Sequence, residues 1–250
     1  VYYCKNGKLI PDTSANGLAN TNGWWNCIKS GDFDGDGDLD FVVGNWGLNN
    51  PFKASVEEPL RIYAKDYDSN GSIEPIMTHY MQHKEYIMQP RNTLISQIPM
   101  IRKRTGSYKM YGSSTFQQLF GTVKFTSEEI LNTYMLQSIY IENLGDGTFK
   151  YTALPDEAQW APIFDFEFID INADKKLDIL AVGNYIDTEV LTGQYDAGNG
   201  LCLINRGHNT FTAANATESG FYVPEEARKI VKLKTEDSKD LYIVSLQNAP

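Results

Sequence analysis

The chain is poor in the residues that most often build a soft-metal or redox centre: three cysteines and three histidines stand among 250 residues. Cys4, Cys27 and Cys202 lie far apart with no Cys-x-x-Cys spacing, so they form neither a zinc site nor a disulfide framework. One disulfide plus an odd thiol, or three reduced thiols, both stay open, and the redox compartment with them. No apolar run approaches the roughly 18 residues of a membrane-spanning helix. No extended basic stripe is present, and the net charge is −10, so nucleic acid and anionic membranes are poor partners. The short Arg102-Lys103-Arg104 run reads as a solvated helix end. Nor is there a Gly-x-Ser-x-Gly elbow, a phosphate loop or a dinucleotide fingerprint, which leaves the common nucleophile and nucleotide chemistries without a motif. The opening Val1-Tyr2-Tyr3-Cys4 reads as a strand, with no initiator Met, basic n-region or apolar h-region. We read the chain as a fragment or processed product, part of a larger polypeptide.

What is present points to a β-rich globular protein. Hydrophobic residues make up 42% of the chain, enough for a substantial core. Aromatics reach 12%, with 15 tyrosines, a bias that favours strands. The acidic residues are uneven: Asp32, Asp34, Asp36, Asp38 and Asp40 fall within nine positions, a block that repels itself unless a cation or solvent screens it.

That block is the first copy of a repeat. Gly31-Asp32-Phe33-Asp34-Gly35-Asp36-Gly37-Asp38-Leu39-Asp40, followed by Phe41-Val42-Val43-Gly44-Asn45, is echoed from Asp170 to Asp178 with Ile179-Leu180-Ala181-Val182-Gly183-Asn184 behind it. A further copy runs from Asp66 to Glu74. A fourth, Lys234 to Asn248, keeps the apolar frame but carries Lys234, Glu236 and Ser238 at loop positions 1, 3 and 5, so it reads as a repeat without metal. The Asp170 and Lys234 copies start 64 residues apart, somewhat above the ~40–50 of a four-stranded propeller blade. Asn143-Leu144-Gly145-Asp146-Gly147-Thr148-Phe149 and Asn205-Arg206-Gly207-His208-Asn209-Thr210-Phe211 match each other as hairpin turns closed by an aromatic.

A hard divalent cation takes six to eight oxygens at about 2.3–2.6 Å, and a tight loop with an acidic or amide side chain at every second position aims them inward. The candidate calcium ligands are Asp32, Asp34, Asp36, Asp38 and Asp40, with Asp38 offering its backbone carbonyl. In the next loop they are Asp66, Asp68, Asn70, Ser72 and Glu74, and in the last Asp170, Asn172, Asp174, Lys176 and Asp178. An EF-hand would need Glu at position 12 and a following helix; here position 12 is Val43, Met77 or Ala181, inside an apolar strand. Gly37 and Gly71 suit the sharp turn at position 6. Lys175 stands there in the last loop, which makes it the weakest expected site and the Asp32 loop the strongest. The rival reading, Asp-rich turns that cap their own backbone, loses ground because three copies fall in register with matching strands.

These loops resemble the FG-GAP, or VCBS, repeats of integrin-α-type β-propellers, whose signature is Asp-x-Asp-x-Asp-Gly-x-x-Asp before a strand. Gly44-Asn45-Trp46-Gly47-Leu48-Asn49-Asn50, the Asn143 turn and Gly193-Gln194-Tyr195-Asp196-Ala197 are similar in phrasing to large exported Bacteroidetes repeat proteins. The resemblance implies an all-β fold with a helical insertion: a partial β-propeller of about three to four blades over 1–250. It also implies structural calcium and a secreted, periplasmic or cell-surface location. The function it implies is a binding or adhesion module for a glycan or protein ligand. A calcium-dependent lyase or hydrolase, or a purely architectural domain, are the alternatives, and an enzyme is the less favoured one.

The β pattern breaks within 76–140, read as a partly helical insertion. Leu94, Ile95, Ile98 and Ile101 fall at helix spacing, Ser114 and Gln117 suggest a capping box, and Thr126 to Glu129 opens a second helix. Its aromatics and amides, Tyr108, Tyr111, Phe116, Gln117, Gln118 and Tyr134, would suit a sugar or simply pack the insert. His79 and His83 read as ordinary surface or packed histidines, and Trp24, Trp25 and Trp46 as core.

Overall fold

The computed structural model describes residues 1–12, 16–189 and 192–247; Asn248, the end of the fourth repeat, lies outside them. Strands β1 (Tyr2–Lys5), β2 (Lys8–Pro11), β3 (Cys27–Gly31) and β4 (Asp40–Gly44) come first. Then follow β5 (Leu60–Lys65), β6 (Glu74–Met81), β7 (Lys84–Ile87) and, after a helical stretch, β8 (Ile130–Thr133). Next are β9 (Ile139–Asn143), β10 (Phe149–Ala153), β11 (Ile163–Ile169) and β12 (Asp178–Gly183). The last are β13 (Leu201–Asn205), β14 (Phe211–Ala214), β15 (Ala227–Lys234) and β16 (Asp240–Leu246). The fold is mostly β, built from separate antiparallel sheets, and among the described residues none closes into a barrel. The chain divides into two compact units, Val1–Ala19, Trp25–Asn49 and Gln137–Pro250 in one and Asn20–Trp24 with Asn50–Leu136 in the other.

The first unit holds two equivalent four-stranded sheets, β3-β4-β9-β10 and β11-β12-β13-β14. In each, an eight-residue acidic loop joins the first two strands and an Asn-led turn joins the last two, as the matched segments suggest. Sheet β11–β14 is buried on both faces, and β12 shows how: its period-2 alternation sends Ile179 and Ala181 one way and Leu180 and Val182 the other. Ile179 and Ala181 join Phe33, Val42, Tyr140, Phe166 and Leu203. Leu180 and Val182 join Cys202, Ile204, Ala227 and Ile230 of the β15–β16 side. Each Val, Leu, Ile or Phe among them contributes about 1.5–3 kcal/mol by leaving water. Phe33 anchors the first cluster, with the rings of Phe168, Phe211 and Tyr140 edge-on at 5.0, 5.8 and 5.8 Å. Gly183 permits a close backbone crossing, since a Cβ there would lie 1.8 Å from the Pro162 oxygen.

Hairpin β15–β16 ends in a short turn, Thr235 N–H to Lys239 O, with Ser238 at positive φ and no acidic loop. Its Leu233, Leu241 and Ile243 are exposed, as is every residue of β1 and β2. The cysteines are free: Cys4 exposed, Cys27 half-buried and Cys202 buried.

The second unit interrupts the first sheet between β4 and β9, and its own sheet has a different order, β7-β6-β5-β8. Its helical stretch lies in the middle of 76–140, from Arg91 to Phe120 with one further turn at Ser127–Glu129. Strands β6 to β8 occupy both flanks, and what lies between is α1 (Arg91–Gln97), a 3-10 segment (Pro99–Arg104), α2 (Tyr108–Ser113) and α3 (Phe116–Phe120). Pro99, Gly106 and Gly112 punctuate the run. The capping box forms one residue later than expected, at Thr115 and Gln118. Thr126 and Glu129 also form one, but it heads a single 3-10 turn that gives way to β8. Leu94, Ile95, Ile98, Ile101 and Phe116 fill this unit's core with Tyr63 and Ile76, so much of the insert's apolar content packs the insert. Arg102, Lys103 and Arg104 do end a helical turn. His79 lies on β6, and His83 in the β6–β7 turn bonds Glu58 at 2.6 Å.

Candidate metal centres

The three acidic loops share one backbone. Position 4 takes positive φ in each, at Gly35 (82°), Ser69 (61°) and Ala173 (59°), and so does position 6, at Gly37 (95°), Gly71 (90°) and Lys175 (69°). Only the first loop has glycine at both, so the other two accept a conformation that side chains disfavour. Carboxylates of the loop hold the turn: Asp32 accepts from Gly35 N–H at 2.8 Å, Asp66 from Gly71 N–H at 2.9 Å, and Asp170 from Lys175 N–H at 2.9 Å. Position 2 points the other way and supplies an apolar anchor, Phe33 or Tyr67 or Ile171, to the cluster beneath.

The predicted ligands sort into two kinds. Asp32, Asp34 and Asp36 each bring one carboxylate oxygen to within 4.8 Å of the others, and Asp66, Asp68 and Glu74 do the same. Asp40 and Asp178 do not join such a group; both are fully buried and act as clamps. Asp40 accepts from Phe33 N–H at 3.3 Å, Asn143 N–H at 2.9 Å and the Tyr140 hydroxyl at 2.6 Å. Asp178 accepts from Ile171 N–H at 3.0 Å and Asn205 N–H at 2.8 Å. Glu74, one methylene longer, accepts from Tyr67 N–H at 3.0 Å and still joins Asp66 and Asp68. Asn70 Oδ1 accepts from Ser72 N–H at 2.7 Å, within its own turn. In the third loop Asn172 replaces a carboxylate, and Lys176 Nζ sits 3.0 Å from Asp174 Oδ2, so a side-chain cation already meets the loop's charge.

Electrostatics separate the loops in the same way. The Asp34 and Asp38 carboxyls are pushed above the usual range, by lost hydration first and then by the other carboxylates of the loop. Asp38 Oδ1 is cut off from solvent with no hydrogen-bond partner. Asp66 is pulled down, chiefly by the Gly71 N–H, and Asp174 by the Lys176 N–H and then its ammonium. The converging carboxylates of Asp32, Asp34 and Asp36, with the donor-free Asp38 oxygen in the same loop and no thiolate or imidazole there, fit a hard divalent cation.

Spacing alone did not mark the partners of the clamps. Asn143 and Asn205 stand out in sequence as turn leaders, and each also spends its N–H on the buried Asp of the loop beside it. The Asn205 amide further donates to Phe33 O at 2.8 Å, tying the first loop to the β13–β14 turn. No protein-family model, curated protein or solved structure matches the chain.

Proposed function

We propose that the chain is a calcium-stiffened segment of a β-propeller of FG-GAP type. In this reading it works outside the cytoplasm, as part of a larger polypeptide, as a binding or adhesion module for a glycan or protein ligand. The observation that carries the reading is the convergence of the Asp32, Asp34 and Asp36 carboxylates on a loop whose backbone recurs twice more. Calcium would supply charge neutralisation there; the chain's own residues aim the oxygens, anchor the loop through Phe33 and clamp it through Asp40. Blade-like stacking is supported by the two equivalent four-stranded sheets packed with hairpin β15–β16.

The test is thermal unfolding of the wild type and Asp34→Ala, in EDTA and in excess calcium. A calcium-dependent rise in melting temperature that Asp34→Ala reduces is expected. Equal melting in EDTA and calcium for both proteins would overturn the reading.

A further inference from the structure

A cavity of about 360 Å³ opens at the end of sheet β11–β14 away from the Asp170 loop. Its walls come from the starts of β11 and β13 and the ends of β12 and β14, together with connecting residues that include Glu157, Trp160, Asn199 and Tyr222. Buried Ile163 and Ala181 lie on its inner side, and Trp160 and Tyr222, 50% and 64% exposed, on its outer side. The wall is fixed by Asn184, which is 1% exposed and donates to Gly198 O, Pro224 O and Glu225 O while accepting from Gly198 N–H. A Cβ at Gly198 would lie 2.7 Å from Asn184 Oδ1, so the Asn184 side chain fits against this segment because that residue is glycine.

Four side chains at this cavity, Glu157, Trp160, Asn199 and Tyr222, make no side-chain hydrogen bond among the described residues. They combine two aromatic faces with a carboxylate, an amide, an indole N–H and a phenol, all with free hydrogen-bonding capacity. An aliphatic inner wall under amphipathic aromatics matches the alternation of C–H faces and hydroxyls on a pyranose. The volume lies near the lower end of the roughly 300–1,000 Å³ of small-molecule sites, room for one or two sugar rings. Among the described residues Glu157 is the only charged side chain lining it, which disfavours uronates and sulfated sugars.

We propose that this cavity is a saccharide-binding site for neutral or amino sugars, with Trp160 and Tyr222 as stacking platforms and Glu157 and Asn199 as hydroxyl partners. It rests on the reading of the chain as a binding module, and it names the surface that binds. Binding here needs no cation, because the cavity lies at the opposite end of the sheet from the acidic loop.

The test is a glycan array with the calcium-loaded protein, followed by calorimetric titration with cellobiose, maltose, N,N′-diacetylchitobiose and digalacturonate. The titrations use the wild type, Trp160→Ala, Tyr222→Ala and Glu157→Gln. At least one neutral or amino disaccharide is expected to bind, with a loss of roughly tenfold or more in the Trp160 and Tyr222 variants, and digalacturonate is not. Absence of any saccharide binding by the folded protein, or binding unchanged in both aromatic variants, would overturn the assignment. Melting temperature in calcium and EDTA is read on the same samples. A calcium response without cavity-dependent binding sinks this inference alone, and cavity-dependent binding without a calcium response sinks the metal reading alone.

Discussion

The Tyr140 hydroxyl donates a 2.6 Å hydrogen bond to Asp40 Oδ2, joining residues 100 positions apart at the base of the first acidic loop. Both side chains are buried, and the Tyr140 phenol is raised far above its ordinary range by burial and then by Asp40. Removing the hydroxyl by Tyr140→Phe leaves Asp40 its two N–H donors and should cost about 1.5–3 kcal/mol, as expected for a bond to a charged acceptor. Asp40→Ala should cost more, because the Phe33 and Asn143 N–H groups then lose their acceptor. Urea unfolding in EDTA reads both without a contribution from metal. A Tyr140→Phe protein as stable as the wild type would show that the hydroxyl is only packed there.

Ion stoichiometry should follow the geometry and not the count of repeats. Two loops gather three carboxylates each, whereas the third pairs Asp174 with Lys176. Calorimetric titration should therefore find two calcium ions per chain, with Asp34→Ala and Asp68→Ala each removing one and Asp170→Ala removing none. Three ions in the wild type would mean that Lys176 swings away and that Asp170, Asn172 and Asp174 bind after all.

The acidic loops were legible because their information is local: the alternating carboxylates, the turn glycines and the apolar strand behind them all fall within about 15 residues. The same locality hid the division of labour among the carboxylates. Asp36 and Asp40 look alike in the repeat, and only the return of β9 beside β4, which brings Tyr140 and Asn143 to the loop, makes Asp40 a clamp. Nothing local records that β4 pairs with β9 across the whole second unit, so the Asp66 loop reads as the next repeat in line when its sheet has another order. The capping box slipped by one residue because Ser114-x-x-Gln117 and Thr115-x-x-Gln118 carry the same pattern, and burial of Phe116 favours the second. The cavity left no local sequence signal, because its lining is gathered from strand ends and connections spread between Glu157 and Tyr222.

Glu129 gives the second unit a pH dependence. It bonds Lys65 at 2.5 Å and the Thr126 N–H at 2.8 Å, and its carboxyl is held below the ordinary 4.5, chiefly by Lys65. A group whose folded pKa is depressed stabilises the fold above its unfolded value and loses that contribution as pH falls through the folded one. The melting-temperature difference between wild type and Glu129→Gln should thus be constant above the ordinary glutamate pKa and shrink toward zero in more acid solution. A difference that persists at about pH 2 would assign the effect of the substitution to packing and not to charge.

Arg228 lies over the Phe164 ring at 4.0 Å, reaches Tyr185 at 5.4 Å, donates to Asn184 O at 3.2 Å and pairs with Glu226. Glu226 is 3% exposed, and its other oxygen accepts the N–H groups of Ile186 at 2.6 Å and Asp187 at 3.2 Å. One carboxylate thereby fixes the chain leaving β12 and the guanidinium stacked across it. Glu226→Ala strands a half-buried cation and two N–H donors at once, and breaking a buried pair from one side costs about 3–5 kcal/mol. Glu226→Gln keeps an acceptor for the N–H groups and should cost less. Denaturant unfolding of the two variants separates the contributions: a large loss in Ala with a smaller one in Gln assigns the stability to backbone satisfaction, whereas equal losses assign it to the charge on Arg228.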